Sequence, residues 1–245
     1  MSGGQRNAEC RMPKNADSHD NHQNRSNPQM RKNYDDPIPE PPVDPLIVDP
    51  TTFRTQQRLA RLRSTIERRQ PTLHLVLEDV HDPHNVSAVL RTCEAVGVGT
   101  VHLVYVAEKF PKIGRTSSAS AWKWVDIRRY DSIEECYGTL RAQGCQIYAT
   151  DLSERAQSLY TLDLASPAAL VFGNEHRGVS PEASQRADGN LLIPMTGLIQ
   201  SLNISVACAV TLYEAFRQRD VAGMYATPQL STEAVESLLK EWAGK

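Results

Sequence analysis

The sequence lacks a long apolar run, a paired-cysteine motif and an apolar segment near its start. No stretch of about 18 uncharged apolar residues occurs, so no membrane-spanning helix is predicted. The opening MSGGQRNAECRMPKNADSHD has no apolar core behind its basic residues, which argues against a secretory signal. The cysteines are odd in number and form no CxxC pair, which favours a reducing, cytoplasmic compartment over a disulfide framework or a metal site. They are Cys10, Cys93, Cys136, Cys145 and Cys208.

The first fifty residues contain few large apolar side chains. The first 34 are polar and rich in Asn, Ser, Arg and Gln, a composition that cannot bury enough surface to fold. The run YDDPIPEPPVDPLIVDP then holds six prolines and five acids, which is typical of an extended linker. We therefore predict a disordered tail and a Pro-rich acidic linker over residues 1–50.

Positive charge is concentrated in the next segment, although the net charge of −2 does not by itself indicate a nucleic-acid partner. FRTQQRLARLRSTIERRQP carries six arginines against one acid. Leu59, Leu62 and Ile66 have helical spacing, and Pro71 is expected to end the helix. Residues 51–71 are thus predicted to form a basic helix, which is either simply solvated or in contact with phosphates. The arginines are Arg54, Arg58, Arg61, Arg63, Arg68 and Arg69.

Apolar runs alternate with helical patterns in the rest of the chain. The predicted strands are 73–80, 100–106, 125–130, 145–150, 168–173 and 190–194. The predicted helices are 85–97, 131–143, 180–187, 202–220 and 231–243. This alternation predicts an α/β fold with a mostly parallel sheet flanked by helices. Ligands of such sheets bind at the carboxyl ends of the strands.

The first segment with chemical content is EDVHDPHNVSAVLRTCEAVGVG. A strand is expected to end near Val80, with a turn through Asp82-Pro83 and a helix that opens around Asn85. Asn85 is either a plain helix cap or a site residue. Arg91 lies within an otherwise apolar helix, where an unpaired arginine would be costly.

Two further segments follow strands. In ALVFGNEHRGVSPE, Gly173 and Gly178 flank Glu175, which indicates either an ordinary tight turn or a carboxylate fixed at a strand end. In LLIPMTGLIQSLNISVACAVTLYEAFRQRDVAGMY, a loop leads to Ser201 and Asn203 at the head of a helix. The free N–H groups of that helix start can hold a polar or anionic ligand.

In this order and spacing, the three segments resemble motifs one, two and three of the SpoU (SPOUT) methyltransferases. The closest similarity is to the TrmH branch, the tRNA guanosine-2′-O-methyltransferases. It extends from about Arg58 to Tyr225, and HNVSAVLRT, FGNE and IPMTGLIQSLNISVA are specific together, whereas FGNE alone is weak. RRQP and YEAFRQRDVAGMY also match the TrmH branch.

The resemblance implies a SPOUT-type α/β fold with a trefoil knot near the carboxyl end of a catalytic domain at residues 72–222. It also implies a homodimer whose active site borrows from both subunits. S-adenosylmethionine would sit in the knot, and the lack of GxGxxG after a strand is consistent with a site unlike the open Rossmann type. The positions that match its binding residues are Thr150, Gly173, Ile193, Gly197, Ser201 and Leu202.

The implied reaction is methylation of a ribose 2′-hydroxyl. Arg91 matches the family's catalytic arginine, and it would act either as a base or, because its reference pKa is about 12.5–13.8, as a charged clamp for phosphate and developing alkoxide. Asn85 and Asn203 would hold Arg91 and the ribose, and Glu175 would orient the site. Ser201 matches a further site residue.

RNA binding is implied for both flanks of the catalytic domain. The predicted RNA-binding residues lie on the basic helix and at the end of the last motif helix, and the segment 223–245 would add an RNA-binding or packing helix. No metal is expected, because His81 and His84 lack the acids or cysteines that would complete a site. The RNA-binding residues are Arg58, Arg61, Arg63, Arg68, Arg69, Arg217 and Arg219.

Three functions remain open on the sequence. The first is 2′-O-methylation of the D-loop guanosine at position 18 of tRNA, in the cytoplasm. The second is the same chemistry on ribosomal RNA, whose enzymes often carry a folded leading domain that residues 1–50 cannot form. The third is a non-catalytic knotted RNA-binding protein, which is expected to lose Arg91 or the Ser201–Asn203 pair, both of which are kept here.

Overall fold

The computed structural model describes residues 49–110 and 120–245. The predicted tail therefore lies outside the described residues, apart from its last two positions. The strands are β1 (Gln70–Glu78), β2 (Val98–Val104), β3 (Asp126–Tyr130), β4 (Gln146–Thr150), β5 (Ala156–Ser158), β6 (Ala168–Phe172) and β7 (Gly189–Leu192). The helices are α1 (Gln56–Glu67), α2 (Pro83–Val96), α3 (Ile133–Ala142), α4 (Pro181–Arg186), α5 (Ile204–Val221) and α6 (Thr232–Gly244). Within the described ranges, no helix is both long and apolar enough to cross a bilayer.

The seven strands form one sheet in the order β3-β2-β1-β6-β4-β7-β5, and all six strand pairs are parallel. The predicted mostly parallel α/β fold is thus confirmed. β1 and β6 are neighbours although they are far apart in sequence, with Leu73 opposite Ala168 and Leu77 opposite Phe172. This pairing brings the loops that carry the first and second motifs to the same edge of the sheet.

The sheet is covered on both faces. Successive strand residues point to opposite sides, so Leu73, Leu75 and Leu77 pack with α2 and α5 in one cluster. Val76 packs with α3 and α4 in a second cluster on the other face. A third cluster joins α1 to α6 through residues such as Ile66.

Local signals explain where the α2 helix begins and ends. The Asp82 carboxylate accepts a hydrogen bond from the His84 N–H at 2.8 Å, and Pro83 occupies the first turn, where its missing N–H costs nothing. Gly97 ends the helix in the left-handed conformation at φ 78°. Asn85 lies inside the first turn and is not the cap, so the plain-cap interpretation of Asn85 is wrong and its side chain is available for other contacts.

Two other details differ from the sequence predictions. The basic helix ends at Glu67, and Pro71 lies inside β1. A proline is tolerated there because the register between β1 and β2 is irregular from Gln70 to His74, so no ladder hydrogen bond is required of it. The three-residue strand β5 was not predicted because so short a segment carries no clear alternation.

Candidate active site

A cavity of about 610 Å³ lies at the carboxyl ends of β4, β6 and β7, beside the start of α5. Its volume falls within the usual range for small-molecule sites, and its position is the one expected for a ligand of a parallel sheet. Of the residues predicted to bind S-adenosylmethionine, Gly197 alone does not line it. The five that do are Thr150, Gly173, Ile193, Ser201 and Leu202.

Gly173 is required by a close approach of the backbone. A Cβ atom at this position would lie 2.1 Å from the carbonyl carbon and oxygen of Gly178, which no side chain can occupy. The approach arises because Asn174 and Gly178 pair across a tight turn, with N–H···O distances of 2.9 and 2.8 Å. The sequence FGNEHRG therefore forms the tight turn and, in the same loop, places Glu175 beside the first motif.

Glu175 connects the loop after β6 to the start of α2. One carboxylate oxygen accepts hydrogen bonds from the Asn85 amide at 2.8 Å and from the Asp82 N–H at 3.1 Å. The other oxygen accepts one from the His81 N–H at 2.9 Å. Burial raises the pKa of Glu175, but the hydrogen bonds from Asn85, His81 and Asp82 outweigh burial and lower the pKa below its ordinary value. Glu175 is thus a fixed, ionised acceptor at neutral pH.

Asn203 extends this network to α5. Its amide donates to the Asn85 side-chain oxygen at 3.3 Å, while its own oxygen accepts from the Ser205 N–H at 2.8 Å and caps the helix. Residues from all three motifs therefore meet in the chain Glu175–Asn85–Asn203. Asn203 and Glu175 also line the cavity, and Asn85 lies between them.

Arg91 lies outside this group. Its side chain is exposed on α2, and it does not line the cavity. The expectation of a costly buried charge is therefore wrong, because water solvates this guanidinium. Among the described residues it has no hydrogen-bond or ion-pair partner, so it is available to a ligand or to a second subunit.

Asp79 is a site-shaping residue that the sequence reasoning missed. It adopts a left-handed conformation at φ 49°, and its carboxylate accepts hydrogen bonds at 2.9–3.1 Å from the N–H groups of Val106, Ala107 and Glu108. Its carbonyl oxygen accepts from the Asn174 side chain at 2.8 Å. The sequence signal that could have identified Asp79 is an acid directly after a buried strand. Asp79 fixes the loop after β2 beside the loop that carries Glu175.

The histidine rings of the first motif lie at the surface. The His81 ring lies 3.5 Å from the Glu108 carboxylate, and His84 is exposed. In the part of the chain that the structure describes, no three His, Cys, Asp or Glu side chains are placed to hold a metal ion.

The predicted RNA-binding arginines divide into exposed and buried sets. Arg58, Arg61 and Arg68 are exposed. Arg63 forms an ion pair with Glu236 at 2.7 Å, and the exposed Arg217 pairs with Glu214 at the same distance. The first three are thus the freest to meet an RNA backbone.

Arg219 is fully buried, which contradicts its predicted role as an RNA contact. Its guanidinium donates to the carbonyls of Leu164, Thr72 and Ser166 and to the side chains of Gln70 and Thr72, at 2.9–3.2 Å. Burial lowers its pKa. Arg219 instead ties α5 to β1 and to the loop before β6.

Arg69 is buried as well, so its predicted role as an RNA contact is also wrong. It is 6% exposed, donates to the Trp124 carbonyl at 2.9 Å and lies over the Trp242 ring, with 5.1 Å from the guanidinium carbon to the ring centroid. Its nearest carboxylate, on Glu94, is 3.8 Å away. Arg69 therefore joins the α1–β1 connection to α6 rather than facing solvent.

The sheet, the three-motif network and the cavity agree with a comparison against known families. Residues 72–213 match the model of the SpoU rRNA Methylase family. The chain belongs to this family.

Individual relatives of this chain within the family have more specific names. A tRNA (guanosine(18)-2′-O)-methyltransferase of Thermus thermophilus is 45% identical over 78% of this chain and 98% of its own length. One from Escherichia coli K12 is 43% identical over 69% of this chain and 73% of its own length. The crystal structure of the Aquifex aeolicus TrmH/SpoU tRNA modifying enzyme has a TM-score of 0.73 and 42% identity, and covers 77% of this chain and 96% of the other.

Proposed function

We propose that this chain is an S-adenosylmethionine-dependent tRNA 2′-O-methyltransferase that modifies the D-loop guanosine at position 18, in the cytoplasm. The observation that carries the proposal is the Glu175–Asn85–Asn203 network beside the cavity, in a chain with the relatives named above. Each member comes from a different motif, so the three motifs converge on one place.

The cavity suits the proposed cofactor. Apolar side chains such as Leu202 and Ile193 offer a surface for an adenine ring, and Thr150 and Ser201 offer hydroxyls to a ribose or an amino-acid group. The AviRb methyltransferase of Streptomyces viridochromogenes, solved with AdoMet, has 26% identity and a TM-score of 0.55 over 60% of this chain and 57% of its own. When bound, the cofactor supplies an activated methyl group. We also propose that the loops around this cavity form the trefoil knot implied by the resemblance.

The residues of the network would position the ribose. Glu175 stays ionised and holds Asn85, and Asn85 in turn holds Asn203 at the mouth of the cavity. Arg91 would then act on the 2′-hydroxyl. A guanidinium is protonated at neutral pH, so we favour a charged clamp that grips a neighbouring phosphate and stabilises the developing alkoxide.

Arg91 can take this role if a second subunit brings it to the cavity. Apolar side chains are exposed along α5 and in the loop before it, including Val206, Tyr213, Leu198 and Ile199. Val206 and Tyr213 are seven residues apart and so share one helix face. Large apolar side chains exposed on one helix face and in the loop before it favour an interface. We propose a homodimer through this face in which Arg91 of each protomer serves the cavity of its partner.

The tRNA would be held by the exposed arginines of α1, Arg58, Arg61 and Arg68. α6 packs against α1 through Ile66, Leu239 and Trp242, so the two ends of the described chain form one surface. Contacts of this kind neutralise phosphates without reading sequence and weaken as salt rises.

Ribosomal RNA is the second candidate substrate. A 23S rRNA (guanosine-2′-O-)-methyltransferase RlmB of Xanthomonas axonopodis is 39% identical over 60% of this chain, but over only 59% of its own length. The Thermus tRNA enzyme is matched over 98% of its length. The match therefore covers nearly all of the tRNA enzyme but little more than half of the rRNA enzyme, which favours tRNA as the substrate.

Labelled S-adenosylmethionine tests the proposal. The chain is incubated with tRNA transcripts, with the same transcripts in which guanosine 18 is replaced, and with ribosomal RNA. We expect label in the first alone, and its loss in the Arg91→Ala variant. Label only in ribosomal RNA would establish the second candidate, and no label in any RNA would leave a non-catalytic RNA-binding protein.

A further inference from the structure

A second cavity, of about 670 Å³, lies at the amino-terminal ends of β1, β2 and β3. Its lining includes Gly99, Thr100 and Asp126, whereas the candidate active site lies at the carboxyl ends of other strands. All three tryptophans of the chain line this cavity, namely Trp122, Trp124 and Trp242. Trp124 and Trp242 contact each other with 5.1 Å between ring centroids. We call this space the tryptophan cavity.

Two buried polar side chains in its wall have unused hydrogen-bonding atoms. His74 is 2% exposed, and its Nε2 makes no hydrogen bond of good geometry with the described residues. Nε and Nη1 of Arg69 likewise have no acceptor among those residues, although the guanidinium lies over the Trp242 ring. These atoms are covered by protein and do not reach the open space of the cavity, so the two side chains contribute to the shape and charge of its wall.

Side chains on the neighbouring strands fix the position of His74. Its Nδ1 lies 3.2 Å from Nε2 of His102, and Nδ1 of His102 lies 3.2 Å from the Tyr130 hydroxyl. This chain of three side chains crosses β1, β2 and β3. Burial lowers the pKa of His74 to about 4, with the charges of Arg128 and Arg219 acting in the same direction. The ring is therefore neutral and adds no charge to the wall of the cavity.

Cations outnumber acids around the cavity. Its wall includes four cationic side chains and two carboxylates. Two of these cations are paired with the two carboxylates, since Asp126 accepts from Thr100 and Arg128 and Glu241 pairs with Lys245 at 2.8 Å, which leaves an excess of two positive charges. The cations are Arg69, Lys123, Arg128 and Lys245. A site with aromatic walls and excess positive charge suits a planar group that carries an anion.

The tryptophan cavity adjoins the basic helix. Trp124 and Trp242 also line a neighbouring groove together with Arg58 and Arg61 of α1. A strand of RNA held by those arginines would therefore pass the tryptophans, which favours RNA over other anionic partners.

We propose that the tryptophan cavity binds one unstacked nucleotide of an RNA strand, with its base against the half-buried Trp122 and Trp124 and its phosphate near Lys123 and Arg128. Aromatic side chains bind an unstacked base of any identity because every base has a π face. The site is distinct from the proposed methylation site and lies at the opposite ends of the strands.

Tryptophan fluorescence tests this directly, because all three tryptophans report on the cavity. The full chain is titrated with guanosine monophosphate and, separately, with a full-length tRNA transcript. The test variant is Lys123→Gln with Arg128→Gln. The matched control is Arg129→Gln, since Arg129 follows Arg128 on β3, points to the other face and stacks on Phe110 at 3.7 Å.

We expect both ligands to change the fluorescence of the unaltered chain and of the control. In the double variant, the Kd for guanosine monophosphate should rise about tenfold. The slope of log Kd for tRNA against log salt should fall by about one, because the single phosphate of the bound nucleotide loses its neutralising partners.

A tRNA effect in the double variant supports the proposal even if the free nucleotide binds too weakly to detect. A response to guanosine monophosphate with unaltered tRNA binding would contradict the RNA assignment and identify a free nucleotide as the ligand. The cavity assignment is overturned if neither ligand changes the fluorescence, or if the double variant and the control bind alike. Both substitutions are at partly or fully exposed positions, and circular dichroism checks that the variants are folded.

Discussion

At the scale of single residues, the Glu175 carboxylate is held in place by several hydrogen bonds in the candidate active site. It accepts from one side-chain amide and two backbone N–H groups. In Glu175→Gln the new amide group would face at least one of these donors, so Asn85 and Asn203 would shift. We expect kcat/KM to fall roughly a hundredfold, as a displacement of about 1 Å does in a positioned site.

Steady-state methylation of tRNA measures this effect, with Glu182→Gln as the control. Glu182 is an exposed acid on α4 that pairs with Arg186, so its loss should leave the rate unchanged. Equal rates for Glu175→Gln and the unaltered chain would show that Glu175 has no positioning role. Binding of tRNA to the variant should change little, because the exposed arginines are retained.

The buried histidines predict a pH-dependent stability. The pKa of His74 is lowered to about 4 and that of His102 to about 3, in both cases mainly by burial. In the unfolded chain both have a pKa near 6.5. As pH falls below about 6.5, the unfolded state therefore binds protons that the folded state does not, and stability falls by up to about 1.4 kcal/mol per pH unit for each histidine.

Urea denaturation between pH 6.5 and 5 measures this slope, above the range in which most carboxylates titrate. In His102→Gln one titrating group is removed while an amide remains to contact His74 and Tyr130. We expect the slope to fall by about half, since one of two protons is lost. An unchanged slope would mean that other groups produce the pH dependence.

At the scale of secondary-structure elements, Arg219 connects α5 to the sheet. Replacement by methionine removes five hydrogen bonds and leaves their acceptors, including Gln70 and Thr72, without this partner. We expect a loss of about 3 kcal/mol in the free energy of unfolding. Arg217→Met, two residues away and exposed, should cost much less, because solvent screens its ion pair. Thermal and urea denaturation of both variants check this, and equal effects would contradict a structural role for Arg219.

The elements themselves could be predicted well from the sequence. Strands such as β6 and helices such as α2 and α5 begin and end within a few residues of their predicted limits, because a run of buried apolar residues and a 3.6-residue period are local signals. The prediction that Pro71 ends a helix was wrong, because the strand β1 can accept a proline where its register with β2 is irregular. That irregularity depends on the contact between Gln70 and Gly99, which are far apart in sequence.

The candidate site was harder to predict from the sequence than the helices and strands. The identity of Glu175, Asn85 and Asn203 came from a family resemblance, and their contact depends on β1 lying next to β6, which no local pattern specifies. The exposure of arginines was equally non-local. Arg217 and Arg219 are two residues apart on one helix, yet the first is exposed and the second fully buried. The tryptophan cavity forms from β1, β2, β3 and α6, so the sequence gives no sign of it.

At the scale of the whole molecule, the proposed dimer makes a prediction about mixed subunits. Arg91→Ala has an intact cavity, and Ser201→Leu, at an exposed residue on the cavity wall, has an intact Arg91. If Arg91 serves the partner's cavity, a dimer with one copy of each variant contains one complete site and one doubly defective site. Random mixing gives half of all dimers this composition, so we expect about a quarter of the unaltered activity.

The measurement is methylation of tRNA after the two inactive variants are unfolded together and refolded, compared with each variant refolded alone. Activity that appears only in the mixture supports the shared site. No activity in the mixture, with dimers confirmed by light scattering, would mean that Arg91 acts within its own protomer.

The order of strands in the sheet also sets when the molecule becomes competent during synthesis. β1 leaves the ribosome early, but its neighbour β6 follows about a hundred residues later, and Asn85 must wait for Asn203, 118 positions further along. Contacts between such distant segments form slowly because a long loop must close first. Nascent chains that end before α5 therefore lack the assembled network, and the activity arises only as the last quarter of the polypeptide is completed.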